Sequence, residues 1–310
     1  MGEKISIGID IGGTKINFGI VKETGEIVSS ERLAVNSQLN PDDQICLICG
    51  AVKQMLNKHD LQTNNLVAIG AGVPGTVNIK TGYVEFCPNI GWEDVPAGDI
   101  FKKYLGMDVI VSQDSRCAAW SEYLLGAGRG FQSIMCVTLG TGIGCGIIVD
   151  GKILHGGMNT AGEIGHMIME KNGRKCNCGS YGCYERYGSG TGIIQRALET
   201  YPDKFKNMPH KSESVFKLAY AGDQEMLAFI RVIVEDIAIG IANAVQLLSP
   251  EAVIISGGLC DHDELIVRPL KELIYHYGYH SWVRKKSLTI EKAQMGSDAP
   301  MIGAAMLYKA

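Results

Sequence analysis

Nowhere in these 310 residues does glycine, four residues and then Gly-Lys-Ser/Thr occur, so the phosphate loop that such a run builds is excluded. A basic excess is missing too. Against 29 Lys and Arg stand 33 Asp and Glu, a net charge of -4 that offers no electrostatic footprint for nucleic acid or an anionic membrane. Met1 to Lys15 lacks a basic region followed by an unbroken apolar stretch, so no secretory leader is read there. The most apolar segment, Glu225 to Leu248, carries Arg231, Glu235 and Asp236 in its middle, where a bilayer would oppose them strongly. It reads instead as a long buried helix ended before Pro250, and no membrane partner is expected. Ten cysteines are scattered through a long chain without a leader, which fits free thiols in a reducing cytoplasm better than a disulfide framework. The length predicts two domains, and 20% charged residues predict an ordered chain.

What is present is concentrated between Gly162 and Glu185. Gly162-Glu163-Ile164-Gly165-His166 precedes Cys176-Asn177-Cys178-Gly179 and Gly182-Cys183-Tyr184-Glu185. Thiolates and imidazole are the ligands of a tetrahedral zinc site, and four protein ligands leave no position for an activated water. Cys176, Cys178 and Cys183 with His166 therefore read as a closed, structural Zn²⁺ site that would fix Glu163 and Glu185 beside it. The alternative is three buried free cysteines and a core histidine.

Elsewhere the pattern is strand, glycine turn, strand. Ile5–Ile9, a turn over Asp10-Ile11-Gly12-Gly13-Thr14-Lys15 and Ile16–Val21 form one such unit; Ile134 to Val149, with Gly140-Thr141-Gly142-Ile143-Gly144 at its turn, forms another. The repeat predicts two similar halves facing each other. A helix is expected over 42–58 and strands over 66–73, 109–111 and 252–256, the last running into Gly257-Gly258. Another helix is expected from Ser115 to Leu125 and a small-residue one over 299–310, with Tyr201–Glu213 left as loop. Gly70-Ala71-Gly72-Val73-Pro74-Gly75 matches the dinucleotide pattern G-x-G-x-x-G only formally. That fingerprint must open a helix, whereas Pro74 and Thr76-Val77-Asn78-Ile79 predict a turn and strand.

Glycine turns let backbone N–H groups approach an anion, so one turn per half could clasp a nucleotide's phosphates. Asp10 could hold Mg²⁺ through water, or simply bond its own turn. Asp114, where a strand's carboxyl end meets a helix's amino end, sits where ligands bind in open α/β sheets. Its two readings are helix cap and general base for phosphoryl transfer.

These segments, with Ser256-Gly257-Gly258, resemble the ROK family (repressors, open reading frames, sugar kinases) across essentially the whole chain. The resemblance implies an α/β, actin-like or ribonuclease H-like ATPase fold, with two similar domains around a cleft. Residues 1–118 would form the first, 119–295 the larger zinc-bearing one, and a final helix, 296–310, would pack back on the first. It implies ATP-dependent phosphorylation of a hexose at its 6-hydroxyl, with glucose as the first substrate to consider. Gly8 to Lys15 and Gly140 to Ile147 would be the ATP loops, with Gly8, Asp10, Gly12, Gly13, Thr14, Lys15, Gly140, Thr141, Gly142 and Gly144 at ATP and Mg²⁺. Gly257 and Gly258 would lie near the adenosine. Asp114 matches the catalytic base; Asn89, Gln113, Glu163, His166 and Glu185 match sugar-binding positions; His166 and the three cysteines match the zinc ligands. A homodimer or homotetramer would be the assembly.

One departure matters. Family sugar kinases usually show Asn-Asp-Ala-Asn around the base, and here it is Gln113-Asp114-Ser115-Arg116. Sites that bond particular hydroxyls discriminate strongly, so allose, mannose, fructose or an N-acyl hexosamine stay open as substrates. The family's other occupation, a sugar-sensing repressor, would need a helix-turn-helix ahead of the first glycine turn, and the negative charge speaks against DNA.

Overall fold

The computed structural model describes residues 4–285 and 287–310. Along the chain come β1 (Ile5–Ile11), β2 (Lys15–Lys22), β3 (Ile27–Ala34), α1 (Pro41–Lys58), β4 (Ala68–Val73), β5 (Thr76–Asn78), β6 (Tyr83–Cys87) and β7 (Trp92–Val95). Then follow α2 (Ala97–Leu105), β8 (Val109–Gln113), α3 (Asp114–Leu125), β9 (Ile134–Leu139), β10 (Ile143–Val149) and β11 (Lys152–Ile153). Helices dominate the rest: α4 (Glu185–Gly188), α5 (Gly190–Thr200), α6 (Pro202–Phe205), α7 (Ser212–Tyr220) and α8 (Gln224–Leu248). The chain finishes with β12 (Ala252–Ser256), α9 (Arg268–His276), α10 (His280–Lys285), β13 (Thr289–Lys292) and α11 (Ala299–Ala305).

Two five-stranded sheets have the orders β3-β2-β1-β4-β8 and β11-β10-β9-β12-β13. In each, an antiparallel hairpin supplies one edge and parallel strands the other, so the repeat seen in the sequence is a repeat of topology. A third sheet, β5-β6-β7, is antiparallel and lies between β4 and β8 in sequence.

By contacts the chain divides into two units. The first takes the described residues up to 132 with 146–161 and 294–310; the second takes 133–145 and the described part of 162–293. Helix α3 runs through the boundary expected at 118/119 and stays whole, since a continuous helix resists being cut between cores.

Strand alternation builds the first unit. Ile7, Ile9 and Ile11 share one apolar cluster with Ile45, Ile48, Val52 and Met55 of α1. The intervening Gly8 turns to α11, where a Cβ would sit 1.9 Å from the Met301 carbonyl oxygen; one on Gly70 would sit 1.9 Å from that of Ala304. A Cβ on Gly303 of α11 would likewise sit 1.7 Å from the Cys117 carbonyl oxygen of α3. Only side-chain-free positions let a helix seat this near a sheet. The Trp120 indole N–H then bonds the Met306 carbonyl oxygen at 2.9 Å, locking the returning segment onto α3.

In the second unit, β12 pairs in parallel with both β9 and β13. The 25-residue α8 is capped by Asp223, whose carboxylate accepts from Glu225 and Met226 N–H, and ends at left-handed Ser249. Its Asp236 pairs with Arg196 at 2.6 Å. Among the described residues no helix is long and apolar enough to cross a membrane. The stretch expected as loop, Tyr201–Glu213, holds α6, because Pro202 at the first helical position nucleates a turn, and the start of α7. After Gly75 the chain enters β5 rather than a helix, which removes the dinucleotide reading.

Candidate active site and metal centre

In the first unit the carboxyl ends of three parallel strands bring the acidic residues into one row. Asp10 pairs with Gly72, and Gly72 with Ser112, two residues before Asp114. A Cβ on Gly72 would lie 3.3 Å from the Asp114 Cα, so Gly72 is the gap beside which Asp114 sits. Asp114 is the first residue of α3 and its Oδ1 accepts the Ser115 N–H at 2.6 Å. Gln113, buried, occupies the capping position without capping through its side chain. The 12–15 turn is closed by Gly12 N–H to the Lys15 carbonyl at 2.9 Å. Gly13 lies against Asn89, whose carbonyl oxygen would be 3.6 Å from an added Cβ. Asp10, Gly12, Gly13, Asn89, Gln113 and Asp114 thus belong to one strand-end region, and Thr14 and Lys15 are exposed beside Gly13 in the same turn.

Asp10 is electrostatically tuned. Burial raises its pKa above the ordinary carboxylate value, opposed by a hydrogen bond from Asn17 (3.1 Å) and by the charge of Lys15, and assisted by the Asp298 carboxylate. Asn17 and Asp298 escaped the sequence reading. Asn17 had a signal in hairpin register, where it pairs with Asp10. Asp298 had none, since it arrives from the distant segment before α11.

The second unit gathers the other turns. Gly140 N–H bonds the Gly142 carbonyl (3.0 Å), and Gly190 N–H at the start of α5 bonds the Gly140 carbonyl (2.8 Å). Gly257 is left-handed at φ 95°, and an added Cβ there would meet the Leu139 carbonyl oxygen at 2.3 Å, so the 257–258 turn rests on the end of β9. On Gly142 a Cβ would come 2.9 Å from Glu185 Oε2. Both glycine turns and Glu185 are therefore neighbours, with Gly144 one residue into β10.

The cysteine knot adjoins Glu185. The ligand atoms of His166, Cys176, Cys178 and Cys183 all lie within 4.8 Å of one another. Cys178 Sγ and Cys183 Sγ are 3.6 Å apart, and Cys176 Sγ is 3.7 Å from His166 Nδ1. A tetrahedron with metal–sulfur bonds of about 2.3 Å has edges of about 3.8 Å, so this donor set fits Zn²⁺ in spacing as in chemistry. Burial raises the Cys176 and Cys183 thiols above their ordinary range; a bound cation reverses that preference by stabilising thiolate. Left-handed Gly182, where a Cβ would sit 1.8 Å from the Glu170 carbonyl oxygen, makes the tight turn that brings Cys183 in. His166 Nε2 lies 3.8 Å from Glu163 Oε2, and Cys176 Sγ 3.2 Å from Glu185 Oε1, so each expected carboxylate flanks a donor of the knot.

The ROK family model matches residues 6–310. The glucokinase of Halalkalibacterium halodurans is 33% identical over 319 residues, covering 100% of this chain and 96% of the relative. That of Streptomyces coelicolor is 33% identical over 325 residues, covering 98% of each. A crystal structure of a ROK family glucokinase from Streptomyces griseus in complex with glucose and AMPPNP has a TM-score of 0.85 to this chain at 32% identity, covering 98% of each. The twofold strand order and these neighbours identify the actin-like, ribonuclease H-like ATPase fold. Matched from Ser6 to the last residue by the family model, and full-length by its glucokinases, the chain belongs to the ROK family.

Proposed function

We propose that this chain is an ATP-dependent hexose kinase that phosphorylates the sugar 6-hydroxyl, with glucose the first candidate. The observation that carries the reading is Asp114 at the end of β8, in the same strand-end row as Asp10, in a chain matching glucokinases over its whole length. The Asp114 carboxylate accepts the hydroxyl proton as that oxygen attacks the γ-phosphorus; the bond to the β–γ bridging oxygen breaks, and ADP leaves. Backbone N–H groups of the 12–15 and 140–144 turns hold phosphate oxygens, and the 257–258 turn receives the adenosine. Asp10 would hold magnesium, which when bound would neutralise charge on the transferring phosphate. Asn89, Gln113, Glu163, His166 and Glu185 hold the sugar's hydroxyls. The four knot donors would hold zinc, which stiffens the loop presenting Glu163 and Glu185 and supplies no open coordination position.

A second reading concerns the sugar only. Gln113 is one methylene longer than the asparagine usual before the base, and its burial gives that extra length nowhere to relax. This favours a hexose differing from glucose at a hydroxyl that Gln113 faces: allose, mannose, fructose or an N-acyl hexosamine. The homodimer or homotetramer stands as a proposal testable by sedimentation. A reducing cytoplasm suits the ten free cysteines.

Turnover of Mg-ATP, coupled to ADP release and measured against these six sugars including N-acetylglucosamine and N-acetylmannosamine, is the test. Phosphorylation of one at its 6-position is expected. ATP hydrolysis indifferent to every sugar would overturn the kinase reading.

A further inference from the structure

The residue two places after Asp114 is a fully buried arginine, Arg116. Its Nη2 donates to the carbonyl oxygens of Asn159 (2.6 Å) and Ala161 (3.0 Å). Both belong to the loop that leaves β11 and reaches Glu163 with only Gly162 between. The loop has no ladder of its own. It is left-handed at Gly156, Asn159 and Gly162, and its internal bonds are Asn159 N–H to Gly156 (3.3 Å) and Ala161 N–H to His155 (3.1 Å).

Strand β10, which precedes β11, is pressed onto the same turn of α3. At Gly146 of β10 an added Cβ would lie 2.3 Å from the Ala119 Cβ and 2.5 Å from the Ser115 carbonyl oxygen. Burial, then the Arg116 charge, pushes the His155 pKa down to about 4, so no second cation arises beside the guanidinium at neutral pH. Burying a guanidinium is costly unless its N–H groups are bonded, and here the N–H groups of Nη2 fix two carbonyl oxygens at once. A lysine offers a point charge there. Asparagine, which the usual Asn-Asp-Ala-Asn run has at this place, is far shorter.

We infer that Arg116 is a positioning residue for sugar binding: it ties the loop that ends at Glu163 to the helical turn that begins at Asp114. The inference rests on the sugar-kinase reading of those two carboxylates.

The test is a double-mutant cycle of Arg116→Met and Glu163→Gln, with kcat and both KM values measured on folded protein. Arg116→Met is expected to raise the sugar KM by about ten- to a hundredfold, as outer-shell orienting groups do, with the ATP KM moving less than about twofold. In the Glu163→Gln background the same change should add less than about threefold, because coupled residues are not additive. Arg116→Lys should fall between, and it carries the comparison if Arg116→Met does not fold. A raised sugar KM in Glu163→Gln beside an unaltered one in Arg116→Met rejects the positioning role alone, and so do effects that simply multiply. An unaltered sugar KM in Glu163→Gln rejects the assignment of Glu163, and with it the route proposed for Arg116.

Discussion

Asn17 donates its side-chain N–H to Asp10 Oδ2 at 3.1 Å, across the β1–β2 pair in which the two residues stand opposite each other. The bond supports the charged form of a carboxylate whose burial favours the neutral one. Because the folded pKa is raised, Asp10 contributes stability that is fully present below the ordinary value of 3.8 and is lost as pH rises through the folded value. Activity runs the other way, since magnesium needs the anion. The acid limb of kcat/KM for Mg-ATP should therefore lie above the ordinary aspartate value, and Asn17→Ala should move it higher still. A limb unmoved by that substitution would count against Asp10 as the metal-ordering group.

Asp114→Asn keeps the size of the side chain and removes its basicity. The expected outcome is a kcat lower by about a thousandfold with the sugar KM changed less than about threefold. Steady-state kinetics decide it, and a nearly active variant would reject the base assignment.

For the knot, metal analysis of the purified protein should find one zinc per chain. Cys178→Ser should abolish it, lower the Tm, and raise the sugar KM by about tenfold while leaving the ATP KM within about twofold. The raised thiols of Cys176 and Cys183 must lose protons to bind the metal, so zinc retention should weaken as pH falls. Losses of ATP binding larger than those of sugar binding would contradict the placement of the knot beside the sugar residues.

Gln113→Asn restores the family's usual residue before the base. It should raise kcat/KM for glucose by about tenfold relative to the best alternative hexose in the panel. An unchanged preference order would remove Gln113 from the determinants of specificity.

How much of this could be read from the chain alone depended on distance along it. The metal donors lie between His166 and Cys183, and their spacing is visible because a knot of tight turns brings near neighbours together. The glycine turns and the doubled hairpin were visible for the same local reason. Arg116 was noticed only as a departure from the usual sequence, since its carbonyl partners are 43 and 45 residues away and no periodicity links them. Helices α7, α9 and α10 were not read, because their short apolar patterns resemble those of partly buried loops. The two-unit division also defeats a linear reading, as the 146–161 segment groups by contact with residues far before it.

The seat of α11 has a consequence for biosynthesis. Gly8, Gly70 and the α3 backbone form a slot shaped for a helix that the ribosome makes long after β1 and β4. Until that helix emerges, Gly8 and Gly70 lack the neighbour they are shaped for, so the first unit cannot finish folding in the order of its synthesis. Its completion must wait for Ala299–Ala305, which makes loss of that helix a lesion of a sheet formed from strands made long before it.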